Sequence, residues 1–369
     1  MSEGLAVLLA GGGTAGHVAP LLATADRLRA DDPRTRVLVL GTTQGLEARL
    51  VPERGYELAV VPRVPMPRRP GADLLRLPGR LRGAVRAAQD AVDRVGADVV
   101  VGFGGYVAAP AYLAARRRRV PLVVHEQNRR PGLANRLGAR FADAVAVTFA
   151  DTPLPRAELT GLPMRPEIRG LDREAARTAA REHFGLRPDL TTLLVYGGSL
   201  GAQRLNSTVA AVAPDLAAAG VQVLHGCGAG KSVDLPADRP ADVPYVVREY
   251  LERMDLAYAA ADLVVGRAGA GTVCEVTAVG LPAVYVPLPI GNGEQRLNAE
   301  PVVRAGGGLL VEDAEFTPQW ARARLLPLLA DRAALAETAR RSAALGVRDG
   351  DERLAAVVRR VAAARGGAR

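Results

Sequence analysis

From Leu5 the chain reads Leu-Ala-Val-Leu-Leu-Ala, then Gly-Gly-Gly-Thr-Ala-Gly-His-Val-Ala-Pro20. An apolar strand that passes through three glycines directly into a helix is the building unit of a parallel sheet covered by helices on both faces. The glycines let the backbone turn sharply with no Cβ to block a ligand. The helix start that follows offers unpaired N–H groups and a partial positive charge, a ready-made site for a phosphate or diphosphate. His17 falls in the first helical turn, within reach of the same ligand. A loop of this kind also serves simply to pack a helix against its strand, so its meaning depends on the rest of the chain.

The rest of the chain repeats the unit. The pattern predicts a helix over 18–30, a strand over 36–40, a short helix over 45–54 and a strand over 57–61. A proline-rich basic loop, 63–70, leads into 74–86, where Leu and Arg interleave. A strand at 98–102 ends in a second glycine turn, Gly102-Phe-Gly-Gly-Tyr106. A helix at 107–115, an arginine run at 116–119, a strand at 121–125, a helix at 131–140 and a strand at 144–148 complete this half. Segment 152–166, punctuated by proline and without periodicity, reads as a linker. The alternation then restarts with a helix at 173–184, a strand at 192–196, the glycine turn 197–201 and a helix at 202–219. Strands at 221–224, 245–247 and 262–265 follow, then the loop 266–272. A strand at 283–286, a helix at 294–305, a strand at 308–311 and a helical tail from 318 to 365 end the pattern. The halves echo each other: Asp98-Val-Val-Val-Gly-Phe-Gly-Gly parallels Asp262-Leu-Val-Val-Gly-Arg-Ala-Gly. The expected fold is α/β, with two doubly wound Rossmann-like domains facing across a cleft. The expected boundaries are 1–165, 166–345, and a C-terminal helix, 346–369, packing back on the first domain. Glycine loops follow the carboxyl ends of parallel strands, where such sheets bind ligands.

Composition narrows the function classes. The chain has 369 residues and a formal charge of +9, and Lys231 is its only lysine. The positive charge is therefore almost all arginine, which does not titrate away and suits anionic membrane or phosphorylated substrates. The basic stretches lack the interleaved aromatics that stack on bases, which argues against nucleic acid. Two cysteines, Cys227 and Cys274, without CxxC spacing, make neither a disulfide scaffold nor a zinc site. No cluster has metal-ligand spacing. The N-terminus has no basic n-region of a signal peptide, and no apolar run reaches the roughly 18 residues needed to span a bilayer.

Three stretches hold residues suited to chemistry. In Arg267-Ala-Gly-Ala-Gly-Thr272-Val-Cys-Glu275, small residues let backbone N–H groups approach a diphosphate. Glu275, about one turn further on, can reach the vicinal hydroxyls of a ribose, or it can merely decorate a first helical turn where carboxylates are favoured. His125-Glu-Gln-Asn128 ends a buried strand, where four polar side chains are costly unless paired or facing a cleft. Asn128 can both donate and accept, as recognition of a sugar hydroxyl or acetamido group requires; the alternative is a loop held by its own hydrogen bonds. Ser199 could donate to a phosphate or serve as a turn residue, and Gln295 could contact a sugar or begin a helix. His183 and His225 read as structural.

Taken together, Gly12-Gly-Thr-Ala-Gly-His17, Gly102-Phe-Gly-Gly-Tyr-Val107, His125-Glu-Gln-Asn128, Gly197-Gly-Ser199, residues 267–275 and Gly280-Leu-Pro-Ala283 resemble, over nearly the whole chain, the MurG family. These are the peripheral membrane N-acetylglucosaminyltransferases of peptidoglycan synthesis, with the glycosyltransferase B fold. The resemblance implies transfer of GlcNAc from UDP-GlcNAc to the muramyl 4-hydroxyl of lipid I, giving lipid II with inversion and without a cofactor or metal. It implies substrate contacts from Thr14, Ala15, Gly16, Asn128 and Arg165, and donor contacts from Ser199, Leu251, Ala270, Gly271, Thr272, Val273, Cys274, Glu275 and Gln295. His17 matches the family's loop histidine, a general base for the acceptor. The implied partners are an anionic membrane surface, at the cytoplasmic face of the cell membrane, and cell-wall synthesis and division proteins. The chain departs from the family pattern at Leu162, Leu200 and 291–294, which bears on individual sugar contacts. The contact with the bilayer is expected in the first half, through Arg63, Arg68, Arg69, Arg76, Arg80, Arg82 and Arg86 with Val64, Met66, Leu74, Leu75, Leu77 and Leu81 between them, and through 116–119.

Overall fold

The structure, a computed structural model, describes residues 4–62 and 72–366; within these, the side chains of Ala15, of 72–77, and of 365 and 366 are left aside. The chain divides into two compact units, Met1–Arg165 with Asp349–Arg369, and Pro166–Arg348.

The first unit is built on β1 (Ala6–Ala10), β2 (Arg36–Gly41), β3 (Glu57–Val60), β4 (Val99–Gly102), β5 (Leu122–Glu126), β6 (Ala144–Val147) and β7 (Ala157–Leu159). All are parallel, in the order β3-β2-β1-β4-β5-β6-β7. Interleaved with them are α1 (Ala15–Asp31), α2 (Glu47–Glu53), α3 (Ala72–Val95), α4 (Ala108–Arg118) and α5 (Leu133–Gly138). The central strands are buried throughout, which explains their uninterrupted Val, Leu and Ala: both faces meet helices. In α3, Ala84, Val85, Ala88 and Val92 are buried while Arg80, Arg82 and Arg86 are exposed. The arginine run forms the last turn of α4, where cations complement the helix dipole.

Two features depart from the sequence pattern. The expected linker contains β7, which pairs with β6 through Val145–Ala157 to Val147–Leu159. All three β7 residues are exposed, so this edge strand has no apolar run to betray it. Helix α3 also continues well past residue 86. Of the expected membrane-facing residues, Arg63, Val64, Met66, Arg68 and Arg69 lie outside the described residues, as do the side chains of Leu74, Leu75, Arg76 and Leu77.

The second unit repeats the design with β8 (Thr191–Tyr196), β9 (Val221–Gly226), β10 (Tyr245–Arg248), β11 (Leu263–Gly266), β12 (Ala283–Tyr285) and β13 (Gly308–Leu310). They form a parallel sheet ordered β10-β9-β8-β11-β12-β13. Its helices are α6 (Pro166–Arg169), α7 (Arg173–Phe184), α8 (Gln203–Ala211), α9 (Ala213–Ala218), α10 (Met254–Ala260), α11 (Ala270–Ala278), α12 (Glu294–Arg304), α13 (Pro318–Trp320), α14 (Leu326–Ala330) and α15 (Arg332–Ala343). Pro214 divides the single helix expected over 202–219 into α8 and α9, because proline removes a backbone donor. The tail is likewise not one helix. Ala321–Leu325 takes the wider π winding between α13 and α14, and Asp331 caps α15 by accepting from the Ala334 N–H at 2.9 Å.

The last helix, α16 (Gly350–Gly366), belongs to the first unit. It packs on α1 and on β4, β5 and β6, and its Leu354, Ala355, Val357 and Val358 are buried in the same core as Val99, Val101 and Val123. Arg359 pairs with Asp31, and Arg360 with Glu158 at 2.5 Å.

Candidate active site

In each sheet the order of connection reverses beside the first strand of the unit, between β1 and β4 and between β8 and β11. Strands on either side of such a reversal send their loops in opposite directions and leave a crevice at their carboxyl ends. The four glycine turns singled out in the sequence follow these four strands.

In the first unit the turn after β1 rests on a carboxylate. Glu47, the first residue of α2, is fully buried. Its Oε2 accepts from the Gly13 N–H at 2.9 Å. Its Oε1 accepts from the Thr42 N–H at 3.1 Å and from the Thr42 hydroxyl at 2.8 Å. Three glycines make room for it: a Cβ on Gly12, Gly41 or Gly45 would lie 2.5, 2.6 or 2.0 Å from a Glu47 side-chain atom. The Gly13 N–H is thus committed to a carboxylate. The turn after β4 interlocks with the first, since a Cβ on Gly105 would lie 2.7 Å from the Gly12 carbonyl oxygen. Tyr106 from this turn brings its hydroxyl to 3.3 Å from that of Thr42.

Thr14 is the N-cap of α1, and its hydroxyl lies 2.9 Å from His17 Nδ1. The other ring nitrogen, Nε2, lies beside Gly104, where a Cβ would come within 3.2 Å of it. Desolvation pulls the His17 pKa down to about 4, opposed by the negative charge of Glu47. The ring is therefore neutral at pH 7. Ala15 and Gly16 form the first turn of α1 in front of it.

His125-Glu-Gln-Asn128 divides. His125 is wholly buried, with Nε2 3.2 Å from the Gly161 carbonyl, so that nitrogen carries the proton. Burial lowers its pKa to about 4. Glu126 accepts from the Asn128 and Gly132 N–H groups and from the Asn135 amide, each at 2.9 Å. Burial pushes its carboxyl up, against the pull of these bonds. Tyr112 donates to Asn135 Oδ1 at 2.6 Å. These residues brace the loop, while Asn128 is half-buried at its edge. Arg165 is half-buried at the end of the unit, and Leu162 is buried where an Asn would need hydrogen-bond partners.

In the second unit α11 begins after Gly269 with Ala270, Gly271, Thr272, Val273, Cys274 and Glu275. Ala270 and Val273 are buried, and the other four are half-buried. The Tyr258 hydroxyl, from α10, donates to Glu275 Oε2 at 2.8 Å and lies 2.9 Å from the Tyr196 hydroxyl. Gln295 ties two loops together: its Oε1 accepts from the Ala268 N–H at 3.2 Å and the Leu288 N–H at 3.0 Å. Arg267 donates to the carbonyls of Val286 and Pro287 and pairs with Asp313 at 2.6 Å. In the turn after β8, Ser199 is half-buried and Leu200 is 77% exposed. Residues 291–293 are exposed. Leu251 is buried, against Gly226 at the end of β9. His225 lies between the Tyr245 hydroxyl at 2.8 Å and Asn206 at 3.1 Å, a structural setting. Among the described residues no group of three His, Cys, Asp or Glu side chains is placed to hold a metal ion.

The pattern missed Glu47, Tyr258 and the Asn135–Tyr112 pair. Each acts on a loop distant in sequence. The one visible hint was an acid closely following two glycines in Gly41-Thr-Thr-Gln-Gly45-Leu-Glu47.

Two parallel α/β units, each with glycine turns at its switch point, form the scaffold of a two-substrate transferase. The chain belongs to glycosyltransferase family 28, whose N-terminal domain matches residues 7–147 and whose C-terminal domain matches 192–354. A relative from a Nocardioides species, the UDP-N-acetylglucosamine--N-acetylmuramyl-(pentapeptide) pyrophosphoryl-undecaprenol N-acetylglucosamine transferase, is 62% identical over 95% of this chain and 97% of its own length. The crystal structure of Acinetobacter baumannii MurG superposes with a TM-score of 0.77 at 30% identity, covering 96% of this chain and 99% of that one. UDP-GlcNAc 2-epimerase from Neisseria meningitidis, at 13% identity and TM-score 0.68 over 94% of this chain and 98% of its own, shares the fold.

Proposed function

We propose that the chain is an inverting N-acetylglucosaminyltransferase that moves GlcNAc from UDP-GlcNAc to the 4-hydroxyl of MurNAc in lipid I, undecaprenyl-diphospho-MurNAc-pentapeptide, to give lipid II. The observation that carries this reading is the 62% identity, along nearly the whole chain, to a transferase so named. In the second unit, the helix start at Ala270 and the turn holding Ser199 face the charge that develops on departing UDP, the kind of preorganised field that stabilises a leaving group. Glu275, held by Tyr258, takes the ribose hydroxyls, and Gln295 and Leu251 complete the donor contacts. In the first unit, Thr14, Ala15, Gly16, Asn128 and Arg165 take the acceptor.

His17 is the base. For its Nε2 to carry a lone pair, Nδ1–H donates to the Thr14 hydroxyl, so Thr14 sets the tautomer. The 4-hydroxyl gives its proton to Nε2 while its oxygen bonds to the anomeric carbon. The bond from that carbon to the β-phosphate oxygen breaks with its electron pair leaving on UDP, and the configuration inverts. A pKa near 4 keeps the ring neutral, and the negative diphosphate of the acceptor raises its basicity on binding.

The enzyme works at the surface of the bilayer that holds its acceptor, on the cytoplasmic side. No described helix is long and apolar enough to cross a membrane. The exposed arginines of α3 and residues 116–119 supply attraction to anionic lipid at roughly 1 kcal/mol each. The reading is tested by transfer of radiolabelled GlcNAc from UDP-GlcNAc to a lipid I analogue. Labelled lipid II is expected. Conversion of UDP-GlcNAc to an epimer without acceptor would replace this reading with that of an epimerase.

A further inference from the structure

The turn that carries Thr14 and His17 is anchored from behind by a group the reaction does not touch. Burying an ionised carboxylate costs several kcal/mol unless its oxygens are satisfied. This chain meets that cost with three hydrogen bonds and three glycines around one side chain, Glu47. A loop that only needed bracing could use a neutral side chain or its own carbonyls.

We propose that Glu47 is the positioning residue of the acceptor half-site: its buried carboxylate fixes the Gly13 amide, and with it the Thr14–His17 turn, and places a negative charge toward which His17 is held. The inference rests on the reading of His17 as the base. Gly13 has φ +90°, a left-handed conformation held on its N–H side by Glu47 Oε2. One residue later Thr14 caps α1, and three residues after that His17 meets the Thr14 hydroxyl. A change in the direction of the Gly13 amide is therefore transmitted to the ring through a stretch with no other described side-chain anchor.

The charge matters as well as the hydrogen bonds. Among the described residues, the titratable side chains on the elements packed around this turn include Glu47 from α2, Tyr106 from the turn after β4, Tyr112 from α4, and His125 and Glu126 from the end of β5. Glu126 is spent on Asn128, Gly132 and Asn135. Glu47 is the group whose charge acts on His17, raising its pKa against the larger effect of desolvation. Removing that charge makes the imidazole a weaker base, and removing only the reach of the carboxylate displaces the ring without changing its titration.

The test compares E47Q and E47D with the parent chain, reading kcat, the donor KM, the pH profile of kcat/KM and the titration of the His17 ring by NMR. E47Q is expected to lower kcat by about 10-fold or more, with the donor KM unchanged within about 2-fold. The His17 titration and the acid limb of kcat/KM should both move to lower pH. E47D, which keeps the charge but shortens the reach, should lower kcat while the titration stays in place. A fall in kcat for E47Q with an unmoved titration would leave only a structural brace and overturn the proposal, as would a parent-like kcat. If neither variant folds, T42V removes one of the three bonds to the carboxylate; a parent-like kcat there overturns the proposal too. The NMR titration is independent of turnover. If His17→Ala proves fully active, the base reading fails, while the titration in E47Q still decides whether Glu47 acts on the ring.

Discussion

The two units share a fold but support their loops with different chemical groups. Behind the turns of the first unit stand carboxylates, Glu47 under Gly13 and Glu126 under Asn128 and Gly132. Behind those of the second stand a guanidinium and an amide, Arg267 on the Val286 and Pro287 carbonyls and Gln295 on the Ala268 and Leu288 N–H groups. The carboxylate of Glu275 is tied to the Tyr258 hydroxyl, which meets that of Tyr196. Glycosyl transfer asks for such a division. A base that becomes cationic gains from buried negative charge, and a leaving diphosphate gains from preorganised backbone donors. Similar topology thus leaves the assignment of substrates to the electrostatics of the loop supports.

The widest expected contrast between the units is at the membrane. The chain should sediment with anionic but not neutral vesicles, and more weakly as salt rises. Replacing Arg80, Arg82, Arg117 and Arg119 of the first unit with Ser should remove on the order of 4 kcal/mol, or about 10³-fold in partitioning. UDP binding should be spared. Normal pelleting of this variant would move the membrane contact away from α3 and α4.

Next in size is His17→Ala, expected to lower kcat by about 10²-fold or more while calorimetry finds the UDP dissociation constant unchanged. Near-normal kcat on saturating acceptor would deny the first unit its base. The mirror variant is Glu275→Ala, expected to weaken UDP binding by roughly 1–3 kcal/mol. Tyr258→Phe should do the same more mildly, by about 1 kcal/mol, because it removes a bond that orients Glu275 rather than one made to the ligand, raising the donor KM with little change in kcat. Equal loss of kcat in Tyr258→Phe would mean that the second unit also shapes the transition state.

A further effect is on stability. Burial lowers the pKa of His17, His125 and His225 from 6.5 to about 4. Below pH 6.5 the unfolded chain takes up protons that the folded chain refuses, so stability is full above that pH and declines as pH falls toward 4. Glu126, whose folded carboxyl is pushed up, works the other way at the acid end. Calorimetry at pH 7, 6 and 5 should show a falling melting temperature. Where two transitions resolve, the one belonging to the first unit should fall further, since it holds two of the three histidines. A midpoint independent of pH would show that these rings are hydrated.

Most of the sheet was legible because its strands are buried on both faces and spell that burial in Val, Leu and Ala. What escaped had no such signature: β7 is an exposed edge strand, and α10 is a seven-residue helix. The loops that carry the site residues were legible from their glycines. The supports were not, since Gly13 and Glu47 are separated by 34 positions and Tyr258 lies 17 from Glu275. Contacts of that kind depend on which strands become neighbours, and periodicity within a segment does not report it. For His125 and Glu126 the residue types were noticed, yet only the fold revealed that their polarity is spent inward on Gly161 and Asn135.

The return of α16 to the first unit has a consequence for synthesis. The sheet of that unit is complete at Leu159, but the helix that packs on α1 and on β4, β5 and β6 begins at Gly350. At roughly 5–20 residues per second on the ribosome, this part of the core waits on the order of ten seconds or more for that helix. Meanwhile the second unit, contained within Pro166–Arg348, has emerged in full. The domain that is begun first is finished last, and during that interval part of its core lacks its last helix.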